Sequence, residues 1–372
     1  MTSEDDIRLL LLNRKREEAL SLLKEEEKLE ETLMKIAKDD PKWEIRREAV
    51  KLLGKGEVTE AHTLLKDILL TDHLTIMRKT AAQALGDLND PVAIPALIEG
   101  LKINNDPAII GEIAISLGKL EAKEAVEPLI AALENNDGEV REHAVDALGL
   151  IGDPCAIKPL IKRLKEDPED WVRGQAADAL GLIGDPQALE PLIETLRNDV
   201  GIGVSMKTAK ALGRLKDPAA VDPLIDFLNQ GQNDETRRAI TFALGEIGDK
   251  KAADVFLELL ENDTDPTVRY WSCLSLGFMK YKKATNVLLD TLLEDSSPRV
   301  RKTAAISLGQ INPKTKKAVK AILQAKTKDE DEEVQATAEN ILKKLAKNQG
   351  FKSITEFLTD LRIEVPKENN DS

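Results

Sequence analysis

One glycine recurs along this chain at a nearly fixed step, and that regularity constrains the fold more than any other feature. It stands at Gly54, Gly86, Gly118, Gly149, Gly181, Gly213, Gly245, Gly277 and Gly309, 32 residues apart at every step but one, which is 31. Most close a small apolar phrase, as in Ala84-Leu85-Gly86, Ala147-Leu148-Gly149 and Ala179-Leu180-Gly181. A unit of this length cannot bury its own apolar face, so neighbouring units must stack to build a continuous core.

The local physics of one unit can be read from residues 149–181. Gly149 and Gly152 are expected to close one helix, because glycine tolerates the left-handed conformation at a helix C-terminus. Asp153 then offers an N-cap, and Pro154 sits where its missing N–H costs little. A first helix follows, with Ile157, Leu160, Ile161 and Leu164 on one stripe. Pro159 falls inside it, as do Pro128, Pro191 and Pro223 at equivalent places, which predicts a bend. Residues 167–170 make a turn. A second helix runs over about 171–180, where Ala176, Ala177 and Ala179 allow close helix approach.

Two polar rows keep the same register. Eight residues before most of the glycines stands an arginine (Arg46, Arg78, Arg141, Arg173, Arg237, Arg269, Arg301), and four after many stands an aspartate (Asp90, Asp153, Asp185, Asp217, Asp249). With Val140-Arg141, Ala147-Leu148-Gly149, Gly152-Asp153 and Pro159-Leu160, residues 28–346 resemble the HEAT-like repeats of phycobiliprotein bilin lyases and their relatives. The resemblance implies an all-α, armadillo-like fold, an α-solenoid forming a right-handed superhelix of about ten two-helix repeats. It further implies that the arginines and aspartates, among them Arg141, Arg173, Arg237, Arg269, Arg301, Asp153, Asp185 and Asp217, form a structural ladder of hydrogen bonds between adjacent repeats. Ile110 and Ser205 break the arginine row, and Gly201 and Gly203 predict an irregular loop before the second break.

The ends differ from the array. Residues 1–27 are charged and helical in pattern and are expected to cap the N-terminus. Residues 28–346 form the array, and 347–372 a capping helix with a frayed tail over 366–372. No stretch reaches the roughly 18 apolar residues of a membrane span. The acidic start, Met1-Thr2-Ser3-Glu4-Asp5-Asp6, lacks a signal-like core, so a cytoplasmic location is expected. Cys155 and Cys273 lie four repeats apart and are read as unpaired, small buried hydrophobes. The net charge of −14 argues against broad binding to nucleic acid or anionic membrane. Residues 278–328, however, carry twelve Lys/Arg against three Asp/Glu, a basic flank suited to an acidic partner.

No catalytic constellation is specific. There is no Walker loop, dinucleotide fingerprint, Cys-x-x-Cys or nucleophile elbow. Deoxyhypusine hydroxylase, a HEAT-repeat enzyme, carries several His-Glu pairs that bind a di-iron centre, and this sequence has no His-Glu pair. His143 with Glu142, Asp146 and Glu112 is the one histidine–carboxylate group with ligand chemistry, and a solvated acidic face is the simpler reading. Neither metal nor cofactor is expected. Family bilin lyases act as pairs of chains that hold a linear tetrapyrrole while a partner cysteine attacks it. The phrases matched here are scaffold residues, and fold alone does not carry that activity.

The remaining functional signal is a face on the second helices. Positions seven, six and three before the glycine should line the concave groove. In repeats six to nine they include Met206, Lys207 and Lys210, then Arg238 and Phe242, then Tyr270, Trp271 and Leu274, then Lys302. Aromatics are only 3% of the chain, so three of them in adjacent repeats mark a patch, and aromatics, Met and Arg enrich interface centres. The expected function is a non-catalytic scaffold that binds a segment of another protein in this groove. The alternatives are a lyase- or isomerase-type enzyme subunit handling a tetrapyrrole, and an arrangement in which Phe242, Trp271 and Leu274 are packed between repeats.

Overall fold

A computed structural model describes residues 4–13, 15–23, 28–104 and 106–364. The tail over 366–372 and the charged run at 24–27 lie outside the described residues. Among the described residues there are 23 α-helices and no strand, giving the all-α solenoid the repeats imply. Glu4–Leu12 and Arg16–Leu23 come first. Ten helix pairs follow: Lys28–Asp39 with Trp43–Lys55, His62–Thr71 with Thr75–Asp87, Ile94–Ile103 with Pro107–Lys119, Val126–Ala132 with Gly138–Ile151, Ile157–Glu166 with Asp170–Ile183, Leu189–Asn198 with Ile202–Leu215, Val221–Leu228 with Asp234–Ile247, Ala253–Asn262 with Pro266–Phe278, Thr285–Glu294 with Pro298–Ile311, and Lys316–Lys328 with Glu332–Asn348. Ile354–Asp360 closes the chain. The chain divides into two compact units, residues 1–195 with 199–211, and residues 196–198 with 212–372.

The repeating glycines do not cap helices. Gly149 lies inside Gly138–Ile151 and is buried, while Gly152, three residues on, takes the left-handed conformation (φ 71°) and ends the helix. The recurring glycine serves contact between successive second helices. A Cβ on Gly181 would lie 2.7 Å from the Ala211 Cα, and one on Gly54 would lie 2.6 Å from the Ala84 Cα. Gly149 meets Ala179, Gly213 meets Ala243, and Gly245 meets Ser275 in the same way. Only glycine facing a small residue permits such an approach. The prolines also act differently from expectation. Eight of the ten first helices begin with a short 3-10 turn such as Pro154–Ala156, and Pro159 then falls in the first turn of Ile157–Glu166. There the missing N–H has no intrahelical partner to lose, so the proline removes no bond from the helix interior.

The arginine row pairs with a second row of aspartates at the end of the next repeat's first helix. Arg141 forks onto Asp167 (Nε–Oδ2 and Nη2–Oδ1 both 2.8 Å), and Arg173 onto Asp199. Arg237 takes Asp263, Arg269 takes Asp295 and Arg301 takes Asp329, each through two hydrogen bonds. Each arginine's Nη1 also donates to a turn carbonyl, for Arg173 that of Asp167 itself (2.9 Å), so Asp167, Asp263 and Asp295 each link two arginines. Asp153, Asp185 and Asp217 stand apart from these pairs. They cap the 3-10 turns, accepting from the N–H of Cys155, Gln187 and Ala219. An N-terminal aspartate favours that site because four N–H groups there lack intrahelical acceptors.

The ladder extends past the residues that first suggested it. Arg8 donates to Asp40 at 2.7 Å, and Asp40's carbonyl accepts from Arg46, so the segment read as a cap supplies a rung. At the other end Gln335 replaces arginine and donates to the Asp329 carbonyl. Where arginine is missing, so is its aspartate: Asn135 stands in the register of Ile110, and Gly231 in that of Ser205. A buried carboxylate without its guanidinium would cost more than losing both. Gly201 lies in the predicted irregular turn, its N–H bonded to Asp199, whereas Gly203 is helical. Of the cysteines, Cys273 is buried, which pushes its thiol up to about 12, but Cys155, within the turn Pro154–Ala156, is exposed.

Two predictions follow from these devices. Gly181→Ala should lower stability by about 1–3 kcal/mol through overpacking against Ala211, despite the better helix former. Gly203→Ala, with nothing within 4 Å of the added carbon, should be neutral or stabilising by up to about 1 kcal/mol. Urea melts of both variants read the difference in sign. For the ladder, Asp167 is 2% exposed. Burial would raise its carboxyl, but Arg141, the Glu169 N–H and the charges of Arg141 and Arg163 outweigh it and hold it below the ordinary value. Asp199 and Asp329 are lowered by the same balance. Their contribution is therefore complete above the unfolded pKa of about 4 and is lost as pH falls through the lower folded values. Arg141→Met should cost about 3–5 kcal/mol at pH 7. Asp167→Asn should flatten the fall in stability measured between pH 5 and 2.

Candidate protein-binding face

The second helices of the C-terminal unit place the predicted aromatic residues together. Asp234–Ile247 is capped by Asn233, which accepts from the Thr236 N–H, and presents Arg238 and Phe242 one turn apart. Pro266–Phe278 starts with Pro266 behind the cap Asp265 and presents Tyr270, Trp271 and Leu274. Pro298–Ile311 presents Lys302 and, one turn earlier, Arg299.

Phe242 and Trp271 meet edge to face, ring centres 4.9 Å apart at 72°, and Tyr270 meets Trp271 at 5.0 Å and 72°. The Arg299 guanidinium lies 4.0 Å from the Tyr270 ring centre. Phe242, Tyr270, Trp271 and Leu274 are all half-buried, and the three rings pack on one another. The array thus combines the two arrangements the sequence left open, being neither core nor free surface. Edge-to-face pairs of this kind add about 0.5–1.5 kcal/mol beyond area burial.

The cations named from sequence are mostly occupied. Arg238 pairs with Asp265, which also accepts from the Thr267 N–H. Burial of Asp265 is outweighed by those two donors, and its carboxyl sits below the usual range. Lys302 pairs with Glu333 at 2.7 Å. Arg299 was missed by the sequence reading because it falls outside the three positions followed. Among the described residues no carboxylate lies within ion-pair distance of it.

Met206, Lys207 and Lys210 belong to the N-terminal unit. There Lys207 donates to Gln175, and Met206 is half-buried while Lys210 is exposed. The same face of that unit is polar: Glu142, His143 and Asp146 are half-buried, and His143 packs on Gly111. Burial raises the Asp146 carboxyl, the Gln175 amide opposes this, and Glu142 adds to it. Among the described residues no group of three or more His, Cys, Asp or Glu is placed to hold a metal ion.

The sequence profile of HEAT repeats matches overlapping windows at residues 30–114, 94–181, 157–244, 221–309 and 285–362. The chain belongs to the HEAT-repeat family. Within it, the bilin biosynthesis protein PecE of Nostoc sp. is 32% identical over 114 residues, 29% of this chain and 45% of that protein. Deoxyhypusine hydroxylase of Coccidioides immitis is 34% identical over 115 residues, 28% of this chain and 34% of the enzyme. This HEAT-repeat chain spans less than half the length of these curated relatives. Yeast importin-β (Kap95p) shares the fold, with a TM-score of 0.64 at 14% identity over 90% of this chain and 52% of that one. Among the described residues no helix is long and apolar enough to cross a membrane.

The array makes a direct prediction about ring packing. Phe242→Ala and Tyr270→Ala should each shift the emission of Trp271 to longer wavelength, measured with Trp43 and Trp171 replaced by Phe. Arg238→Ala should leave the emission unchanged.

Proposed function

We propose that this HEAT-repeat protein is a binding scaffold whose partner segment lies against Phe242, Tyr270, Trp271 and Leu274 in the C-terminal unit. The observation that carries the reading is the preassembled aromatic array, half-buried and flanked by Arg238 and Arg299. Rigid aromatics with an adjacent arginine supply contact area with little entropy left to lose, which is the composition of interface centres. Because Arg238 and Lys302 already hold carboxylates, the segment is selected by its apolar residues more than by its charge. Association of Kap95p with RanGDP, in a protein of the same fold, supports protein binding as a use of this architecture.

A second reading has support from the relatives: the similarity to a bilin biosynthesis protein favours an enzyme subunit that holds a linear tetrapyrrole, for which the same rings would make a stacking wall. The two readings separate by titration. Peptides selected from a displayed library should bind the wild type and lose at least tenfold in affinity on Phe242→Ala with Trp271→Ala. Biliverdin should then give no saturable absorbance change. A saturable change abolished by the same substitutions would establish the second reading. Peptide binding indifferent to both substitutions would sink the first.

A further inference from the structure

The basic flank at residues 278–328 is sorted by the fold into two groups. Arg299, Arg301 and Lys302 lie on a second helix and are engaged with Tyr270, Asp329 and Glu333. The lysines gather on a different edge, where each second helix turns into the next first helix. Segments 280–286 and 312–320 carry seven lysines (Lys280, Lys282, Lys283, Lys314, Lys316, Lys317, Lys320) and no carboxylate, and all seven are exposed. Lys250, Lys282 and Lys314 are 32 residues apart, in one register on three successive turns.

The fold does not ask for lysine at these places. Five of the eight 3-10 turns carry an aspartate cap, Asp90, Asp153, Asp185 and Asp217 before a proline and Asp249 before Lys250, while Ala122 before Lys123 gives none. The aspartates satisfy and complement the positive end of the helix dipole. In the C-terminal unit Tyr281 takes the aspartate's place with no side-chain cap, Lys282 and Lys283 fill the turn, and Lys316 and Lys317 open the next helix. Cations there oppose the dipole and repel one another, so they weaken the helix starts they occupy. Some are tied: Lys316 donates to the Arg362 carbonyl, Lys317 to Asn286, and Lys283 sits over the Tyr281 ring. Among the described residues Lys280, Lys282 and Lys314 have no carboxylate within ion-pair distance. Asp254 is near but holds the Tyr281 hydroxyl.

We infer that this lysine edge is a docking surface for an acidic segment of a partner protein. Charge complementarity selects the occupant. The patch spans two turns, about 10 Å apart at helix-layer spacing, which a short run of Asp and Glu covers. As a whole the C-terminal unit balances at 26 Asp/Glu and 26 Lys/Arg, and the N-terminal unit carries 41 against 27, so neither unit offers the extended cationic face that a long polyanion such as nucleic acid needs. The edge lies at the other end of the second helices from the aromatic array, so it is independent of the function proposed above.

The experiment is fluorescence anisotropy of a labelled ten-residue oligoglutamate peptide and a labelled twenty-base oligothymidylate, titrated with the full chain in 50 and 200 mM salt. The wild type should bind the peptide saturably and more weakly at the higher salt. Changing Lys280, Lys282, Lys283 and Lys314 together to Glu, or to Gln, should weaken it at least tenfold. The thermal midpoint should be at or above that of the wild type, because the unfavourable charges of Lys282, Lys283 and Lys314 at helix starts are gone. The same charge change at Lys38, Lys55, Lys102 and Lys158 should cost less than threefold. Absence of saturable peptide binding, an equal loss in the control variant, or preference for the oligonucleotide over the peptide would each overturn the inference.

Discussion

Backbone meeting backbone at a glycine is the contact on which this structure depends. Once a Cβ is forbidden on one helix, a small residue on the next can approach closely, and Ala84, Ala179, Ala211, Ala243, Ser275 and Ser307 do so, while the last of the recurring glycines, Gly309, meets the tip of Ile341. Close approach in turn leaves little room for large rings between second helices, consistent with how few aromatics the chain holds. The arginine forks act eight residues earlier, about 12 Å along the same helix. Where the arginine is present, a second helix is therefore fixed to the next repeat at two points, by van der Waals contact at one and by a charge-assisted pair at the other.

That division leaves particular positions free. Residues between the arginine and the glycine that face outward take no part in either device, and they differ most between the units. In the N-terminal unit they are polar, with Glu142, His143, Asp146 and Gln175. In the C-terminal unit Phe242, Tyr270, Trp271 and Leu274 occupy them. The turns between repeats are free in the same sense: the fold is content with Asp-Pro, so a lysine there answers to something other than stability. Both proposed surfaces use positions that the repeat does not need, as a scaffold with a repeated core permits.

Much of this was legible in the sequence. The number of repeats, the helix pairs and the arginine row follow from periodicity alone, because a 32-residue register cannot be kept by chance. The partners of the arginines were not legible. Two aspartate rows share the same period, and only the packing shows that Asp167, Asp199, Asp263, Asp295 and Asp329 receive the guanidinium groups while Asp153, Asp185 and Asp217 cap turns. The paired loss at Ile110 with Asn135, and at Ser205 with Gly231, is visible in the sequence once that register is known.

The glycine shows the division between sequence and structure most clearly. Its recurrence determined that the chain stacks two-helix units, since nothing else needs a residue without a side chain once per unit. Its role was decided by tertiary structure. A glycine can end a helix by taking φ above zero or can lie mid-helix against a neighbour, and the one-dimensional pattern is the same for both. The half-buried state of the aromatic face was decided there too, because a rotation of one helical position moves Trp271 between core and surface. The sequence carries the period; the angle at which each helix meets the next sets which side chains face outward.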